Sequence, residues 1–142
     1  MKWFALTLFS LITLQSAQGS EIILMVGPNR IHAQIANTPD SRATGLMKKT
    51  HLCENCGMLF VFPKQGNYKF WMKGTPLPLS IAFVTVTGQI INIQEMQAFN
   101  TALHSAPELV LYTLEMNKGW YSKHGIIPLE YIKGLQNVPT AQ

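Results

Sequence analysis

Ile31-His32-Ala33-Gln34-Ile35-Ala36 sets Ile31, Ala33 and Ile35 in alternation with His32, Gln34 and Ala36. A period of two puts the first three on one face of an extended chain, which is the signature of a half-buried β-strand. The same reading extends outward to runs at 57–62, 68–73, 80–86, 89–94 and 109–116, each rich in β-branched, aromatic or other apolar residues. Thr87-Gly88 separates two of these runs and predicts a hairpin turn. A last strand is expected at 126–132, pushed to a sheet edge by Pro128, whose nitrogen has no hydrogen to give a ladder.

Two short helices interrupt the strands. Thr38 is placed to cap the first, with Pro39 at the first helical position and Asp40 in the first turn, and the helix is expected to reach about Leu46. Asn117 is the expected cap of the second, which carries Lys123 and His124 in its last turn before Gly125 stops it. Residues 74–78 hold two prolines and must form a loop. Residues 97–107 lack periodicity and are long for a simple connection, a length often tied to function. Many short strands with two short helices predict a mainly β, jelly-roll-like sandwich or barrel rather than alternating β-α units.

The first residues do not belong to that fold. Lys2 supplies the positive charge at the start, residues 3–14 are almost continuously apolar, and Ser16-Ala17-Gln18-Gly19 offers small residues where a signal peptidase cuts. Residues 1–19 are therefore expected to be a signal peptide, 20–134 a single β-rich domain, and 135–142 a flexible tail. The apolar run is short of the ~20 residues that cross a bilayer, so no membrane span is expected after cleavage. The protein is expected to be exported, to the periplasm or outside the cell.

An apolar share of 47% with 13% charged residues argues for a folded core and against disorder. Eleven Lys and Arg face seven Asp and Glu. The excess is scattered singly apart from Lys48-Lys49, whereas nucleic-acid binders usually carry a basic stripe, so no nucleic acid is expected as partner.

Thr38-Pro39-x-x-Arg42-x-x-Gly45-Leu46-Met47 is followed by Gly57-Met58-Leu59-Phe60-Val61-Phe62, Phe70-Trp71-Met72-Lys73-x-Thr75 and Pro78-Leu79-x-Ile81-Ala82-Phe83. Leu114-Glu115 and Gly119-Trp120 complete an ordered set. In these motifs the chain resembles domain of unknown function 192 (DUF192), an uncharacterised bacterial and archaeal family. The resemblance implies a compact, mainly β, jelly-roll-like single domain, often behind an export signal, and assigns no catalytic residue. Two positions depart from the pattern: the family usually has Asn where Gly74 stands and Asp where Ser80 stands. The second departure removes a carboxylate and lowers the case for acid–base catalysis.

Two places suit chemistry. Cys53 and Cys56, in His51-x-Cys53-Glu54-Asn55-Cys56, are the only cysteines. Export would carry them to an oxidising compartment, which favours a local structural disulfide before the strand at 57–62. A thiol-redox role needs a stabilised thiolate, and the pair leads into a strand rather than a helix N-terminus. Soft-metal binding by His51, Cys53 and Cys56 lacks an evident fourth ligand. Met47, Met58, Met72, Met96 and Met116 read as core filler rather than copper ligands. No metal and no cofactor is therefore expected.

The second place runs from Tyr68 to Ser80. Alternation sends Phe70 and Met72 to one side and Trp71 and Lys73 to the other. Trp71 is expected as an apolar platform and Lys73 as a charged handle, with Thr75 and Ser80 as further ligand-binding groups. Arg42 and Glu115 are within conceivable reach of a site, although each also suits solvated surface. No nucleophile elbow, phosphate loop or zinc-helix motif is present. The expected function is non-catalytic binding of a small ligand or a protein partner, with thiol-redox or soft-metal chemistry at Cys53 and Cys56 as the alternative.

Overall fold

The computed structural model describes residues 20–142, so the segment expected to be a signal peptide lies outside the described residues. The elements in chain order are β1 (Glu21–Val26), β2 (Asn29–Ala36), α1 (Pro39–Thr44), β3 (Cys56–Gly66), β4 (Leu79–Val84), β5 (Ile90–Met96), β6 (Val110–Asn117), α2 (Trp120–Lys123) and β7 (Ile132–Lys133), followed by a 3-10 turn at Leu135–Asn137. The strands form one sheet in the order β5-β4-β6-β3-β2-β1-β7. β2 and β3 pair in parallel across the α1 connection, and the other neighbours are antiparallel.

The sheet curls into a half-barrel whose two ends are bridged. Ile90 N–H donates to Glu130 O, Leu129 N–H to Ile90 O and Ile132 N–H to Gly88 O, at 2.9, 2.8 and 2.8 Å. These bonds tie the start of β5 to the approach to β7, the opposite ends of the strand order. The mainly β single domain with two short helices is as expected, and closure through the sheet ends makes it barrel-like.

Two apolar clusters follow from the two faces. The concave face gathers Leu24, Ile31, Ala33, Ile35, Leu59, Ala82, Ile90, Leu114 and Ile132 from all seven strands, with Trp120 and Tyr121 of α2 filling the end. The convex face carries Met58, Phe60, Leu79, Ile81, Phe83, Met96 and Val110, covered by Leu46, Met72 and Ala106 from the connections. β4 is buried at all six positions, which is why Leu79-Ser80-Ile81-Ala82-Phe83-Val84 reads as a continuous run and not an alternation. Met58, Met72, Met96 and Met116 are all core residues.

Several expectations are corrected. Residues 68–73 do not form a strand: both edges of β3 are already taken by β2 and β6, so Phe70 pairs only with His104 in an isolated bridge. The inward–outward alternation survives, with Met72 buried and Trp71 and Lys73 exposed. The strand expected at 126–132 shrinks to Ile132–Lys133, at the sheet edge. β1 adds a strand that the alternation did not announce.

Thr38 caps α1 as expected, accepting from Ser41 N–H. Asn117 does not cap α2. Gly119 does so in the left-handed region, and the Asn117 amide instead donates to Leu52 O and Cys53 O. Residues 135–142, expected to be a flexible tail, pack Leu135, Val138 and Ala141 against the concave cluster. Gln142 N–H closes on Asn37 O at 2.8 Å.

Candidate functional site

On the convex face a cavity of about 240 Å³ opens between the end of α1, β3 and the segment 68–75. Phe60 and Phe62 reach it from β3, Tyr68, Phe70 and Trp71 from the following connection, and Glu115 from β6. The walls are braced against one another. Phe62 stacks on Tyr68 with 3.5 Å between ring centroids, and Phe70 packs edge-to-face with Phe60 and Phe83 at 5.1 and 6.0 Å. Trp71 is 46% exposed, so part of its side chain stays accessible to an incoming molecule.

Backbone bonds fix the connection that carries these rings. Phe70 and His104 exchange a pair of hydrogen bonds, Met72 N–H donates to Asn100 O, and Phe99 N–H donates to Thr75 O. The long loop 97–107 therefore supports the site from outside. On the other side Lys48 N–H donates to Gly74 O at 3.0 Å, joining the post-α1 turn to the same connection. Gly45 has φ of +48°, and a Cβ there would lie 3.2 Å from Phe60 Cζ. The chain passes this close to the ring only because the residue is glycine.

Glu115 occupies β6 between Met58 of β3 and Ile81 of β4, the direction in which those two side chains enter the convex core. It is 5% exposed. Burial pushes its carboxyl up to about 8, with no cation close enough to oppose the shift. Among the described residues its side chain has no hydrogen-bond or ion-pair partner. Thr113, one pleat along the same face, is fully buried and its hydroxyl is likewise unpaired. Arg42 stands at the cavity wall with its guanidinium occupied, donating to Val61 O at 3.0 Å and Gln142 O at 2.9 Å while lying 5.7 Å from the Phe62 centroid.

The four side chains expected to bind a ligand divide. Trp71 and Thr75 line the cavity, and Thr75 is buried. Lys73 lies outside the lining but extends its ammonium over the Trp71 ring, 5.2 Å from the centroid. Ser80 falls on the concave side with Ala82 and Met116, where its hydroxyl donates to the Glu95 carboxylate at 2.8 Å and accepts from Gly119 N–H at 2.8 Å. A carboxylate thus stands beside position 80 even though the side chain there is Ser. The residue that sequence reasoning left at the margin is Glu115. The available signal was a lone charge in the strand Val-Leu-Tyr-Thr-Leu-Glu-Met-Asn, alternating out of step with Leu114 and Met116.

Cys53 and Cys56 form a disulfide with Cα atoms 5.0 Å apart. Its turn is held on several sides: His32 N–H donates to Asn55 O, Trp120 Nε1 to Asn55 Oδ1, and Lys123 pairs with Glu54. Among the described residues no three His, Cys, Asp or Glu side chains are grouped to hold a metal ion, and no helix is long and apolar enough to cross a membrane.

Two solved structures share this architecture. A "putative transcription regulator" from Sinorhizobium meliloti superposes with a TM-score of 0.75 at 28% identity, covering 80% of this chain and 91% of its own. A protein of unknown function from Novosphingobium aromaticivorans gives 0.73 at 28% identity, with 80% and 83% covered. No curated protein matches the chain. The model of DUF192, described as "Uncharacterized ACR", matches residues 22–133, and the chain belongs to that family.

Proposed function

We propose that this protein is an exported, non-catalytic binding domain that takes a small ligand into the cavity between α1, β3 and residues 68–75. The observation that carries the reading is Glu115: a buried carboxyl without a partner, opening into an aromatic-walled cavity. Its oxygens open onto the cavity and have no protein partner there among the described residues, and a bound ligand is a ready source of a hydrogen bond to them. Ordinary ligand sites have this composition, mostly apolar walls with a few placed polar groups. Trp71 and Thr75 belong to the site on this reading, with Lys73 holding the Trp71 ring. Ser80 supports the α2 junction.

Export is supported by the N-terminal sequence and by the disulfide, which suits an oxidising compartment. The thiol-redox alternative has less behind it, because the Cys53–Cys56 turn is braced on several sides and leads directly into β3.

A fragment library screened through amide chemical shifts of the labelled protein tests the binding reading. Hits are expected to converge on residues 42–47 and 68–75. Hits confined to the Cys53–Cys56 turn, or none that shift the cavity amides, would refute it. N-terminal sequencing of protein from its native cell tests export, with a mature start at Ser20 or Gln18 expected and an intact Met1 counting against it.

A further inference from the structure

The cavity specifies the ligand's chemistry as well as its presence, granted the binding reading above. Among its lining groups is an acid, Glu115, only 5% exposed, set among rings and without a hydrogen-bond or ion-pair partner among the described residues. Aromatic faces carry negative quadrupole density, so they repel a second anion and attract a cation. A volume of about 240 Å³ corresponds to roughly eight waters at ~30 Å³ each in the liquid, room for a small organic molecule. We propose that the ligand is a small organic amine, its ammonium hydrogen-bonded to Glu115 and its carbon frame held against Phe62, Phe70 and Trp71.

A carboxylic acid ligand would fit less well. It would gain at most a hydrogen bond from a protonated Glu115 and would bring negative charge to the ring faces. A neutral alcohol would satisfy the carboxyl without the attraction to the rings. The charged groups around Glu115 leave the base of the cavity open to a cation. Arg42, on α1, has its guanidinium bound to two carbonyls, and Lys69 is exposed at the mouth, where solvent and salt screen it. Tyr68 is the other titratable side chain in the wall. β3 and β4 present Met58 and Ile81 to Glu115, neither titratable. Tyr121 is the titratable group behind the strand, and its hydroxyl donates to Leu114 O at 2.8 Å.

The binding step balances as a proton release. The empty site holds Glu115 largely as the neutral acid near pH 7, since burial pushes its carboxyl up to about 8. An incoming ammonium converts it to carboxylate, and the proton leaves to solvent. Affinity should therefore tighten about ten-fold per pH unit below pH 8 and level off above it.

Benzylamine, benzyl alcohol and benzoate are matched probes of this inference. Titrated into the full-length mature protein and followed by amide shifts at Gly45, Trp71 and Thr75, benzylamine is expected to bind at least ten-fold more tightly than the other two. Glu115→Gln is expected to weaken benzylamine at least ten-fold and leave benzyl alcohol within two-fold. Calorimetry in buffers of different ionisation enthalpy should report about one proton released at pH 6–7. Equal or tighter binding of the alcohol or benzoate at those amides, or benzylamine binding indifferent to Glu115→Gln, would overturn the amine assignment and leave the cavity as a binding site. No cavity shift from any of the three at millimolar concentration would overturn the amine together with the binding reading.

Discussion

Replacing Glu115 with Gln removes one proton-binding group and almost no volume, so the variant isolates the cost of the buried carboxyl. In the unfolded chain that group has its ordinary value of 4.5, and in the folded chain burial raises it to about 8. A raised folded-state value means that the folded chain holds the proton more tightly. Its contribution is therefore fully favourable below pH 4.5 and is lost as pH rises toward 8. At 1.36 kcal/mol per unit of pKa difference, the wild type should lose about 3 kcal/mol relative to Glu115→Gln by pH 7 and about 5 kcal/mol above pH 8. Urea unfolding followed by tryptophan fluorescence from pH 4 to 9, on both proteins, measures the difference directly. Subtracting the two curves cancels every other titrating group that the substitution leaves alone. Parallel curves across this range would show that Glu115 is solvated or paired, and the argument for the site would fall with them.

Other substitutions separate the cavity from the rest of the fold. Gly45→Ala forces a side chain into the left-handed region and against Phe60, and should lower stability by about 1–2 kcal/mol in urea; an unchanged midpoint would show that the α1 turn is free to move off the ring. Ser80→Ala leaves the partly buried Gly119 N–H without its hydroxyl partner and should cost about 1 kcal/mol, with benzylamine shifts at Trp71 and Thr75 unaltered. Loss of those shifts would return Ser80 to the site. Cys53→Ser with Cys56→Ser opens a four-residue loop, and loop entropy predicts a loss of about 2 kcal/mol with the fold retained. A loss of benzylamine binding in that folded variant would tie the disulfide to function.

Period-two alternation was enough to find β2, and apolar, β-branched and aromatic composition to find the runs that became β3 to β6, because each turns at least one face to a core. It failed at 68–73 for a reason no local pattern contains. Tyr68 to Lys73 has the composition and the alternation of a strand, but the sheet had no vacant edge beside β3 to receive it. Which edges are free is a property of the whole topology. The same limit explains β1, whose Glu21-Ile22-Ile23-Leu24-Met25-Val26 lacks alternation in sequence. Helix caps were legible where the side chain itself makes the bond, as at Thr38, and not where a glycine does so through its backbone, as at Gly119.

The site was half legible. Trp71 and Thr75 stand together in sequence, so a local reading could group them. Ser80 is close in sequence too, but entry into β4 turns it to the other face of the sheet. Glu115 lies some forty residues further on and lines the same cavity as Trp71 only because β6 runs between β3 and β4. A long-range strand order brings it there, and no spacing rule in a single sequence reports that order.

Apart from Thr113 and Asn92, several polar side chains in and around the core are paired. Ser80 gives its hydroxyl to Glu95, Tyr121 gives its own to Leu114 O, and Trp120 reaches Asn55. At the exposed Glu95 the carboxylate has both a hydroxyl partner and solvent. Glu115 goes unserved where a cavity opens beside it, so its penalty and its availability to a ligand are one property. That identity has a measurable consequence. If an ammonium completes the site, saturating benzylamine should stabilise the wild type most above pH 8, where the carboxylate is most exposed to its own burial cost, and least below pH 5. It should do little for Glu115→Gln at any pH. A ligand-induced stabilisation of equal size in both proteins would mean that the amine binds for its ring alone, and that the unpaired acid is a burden of the fold rather than part of a binding site.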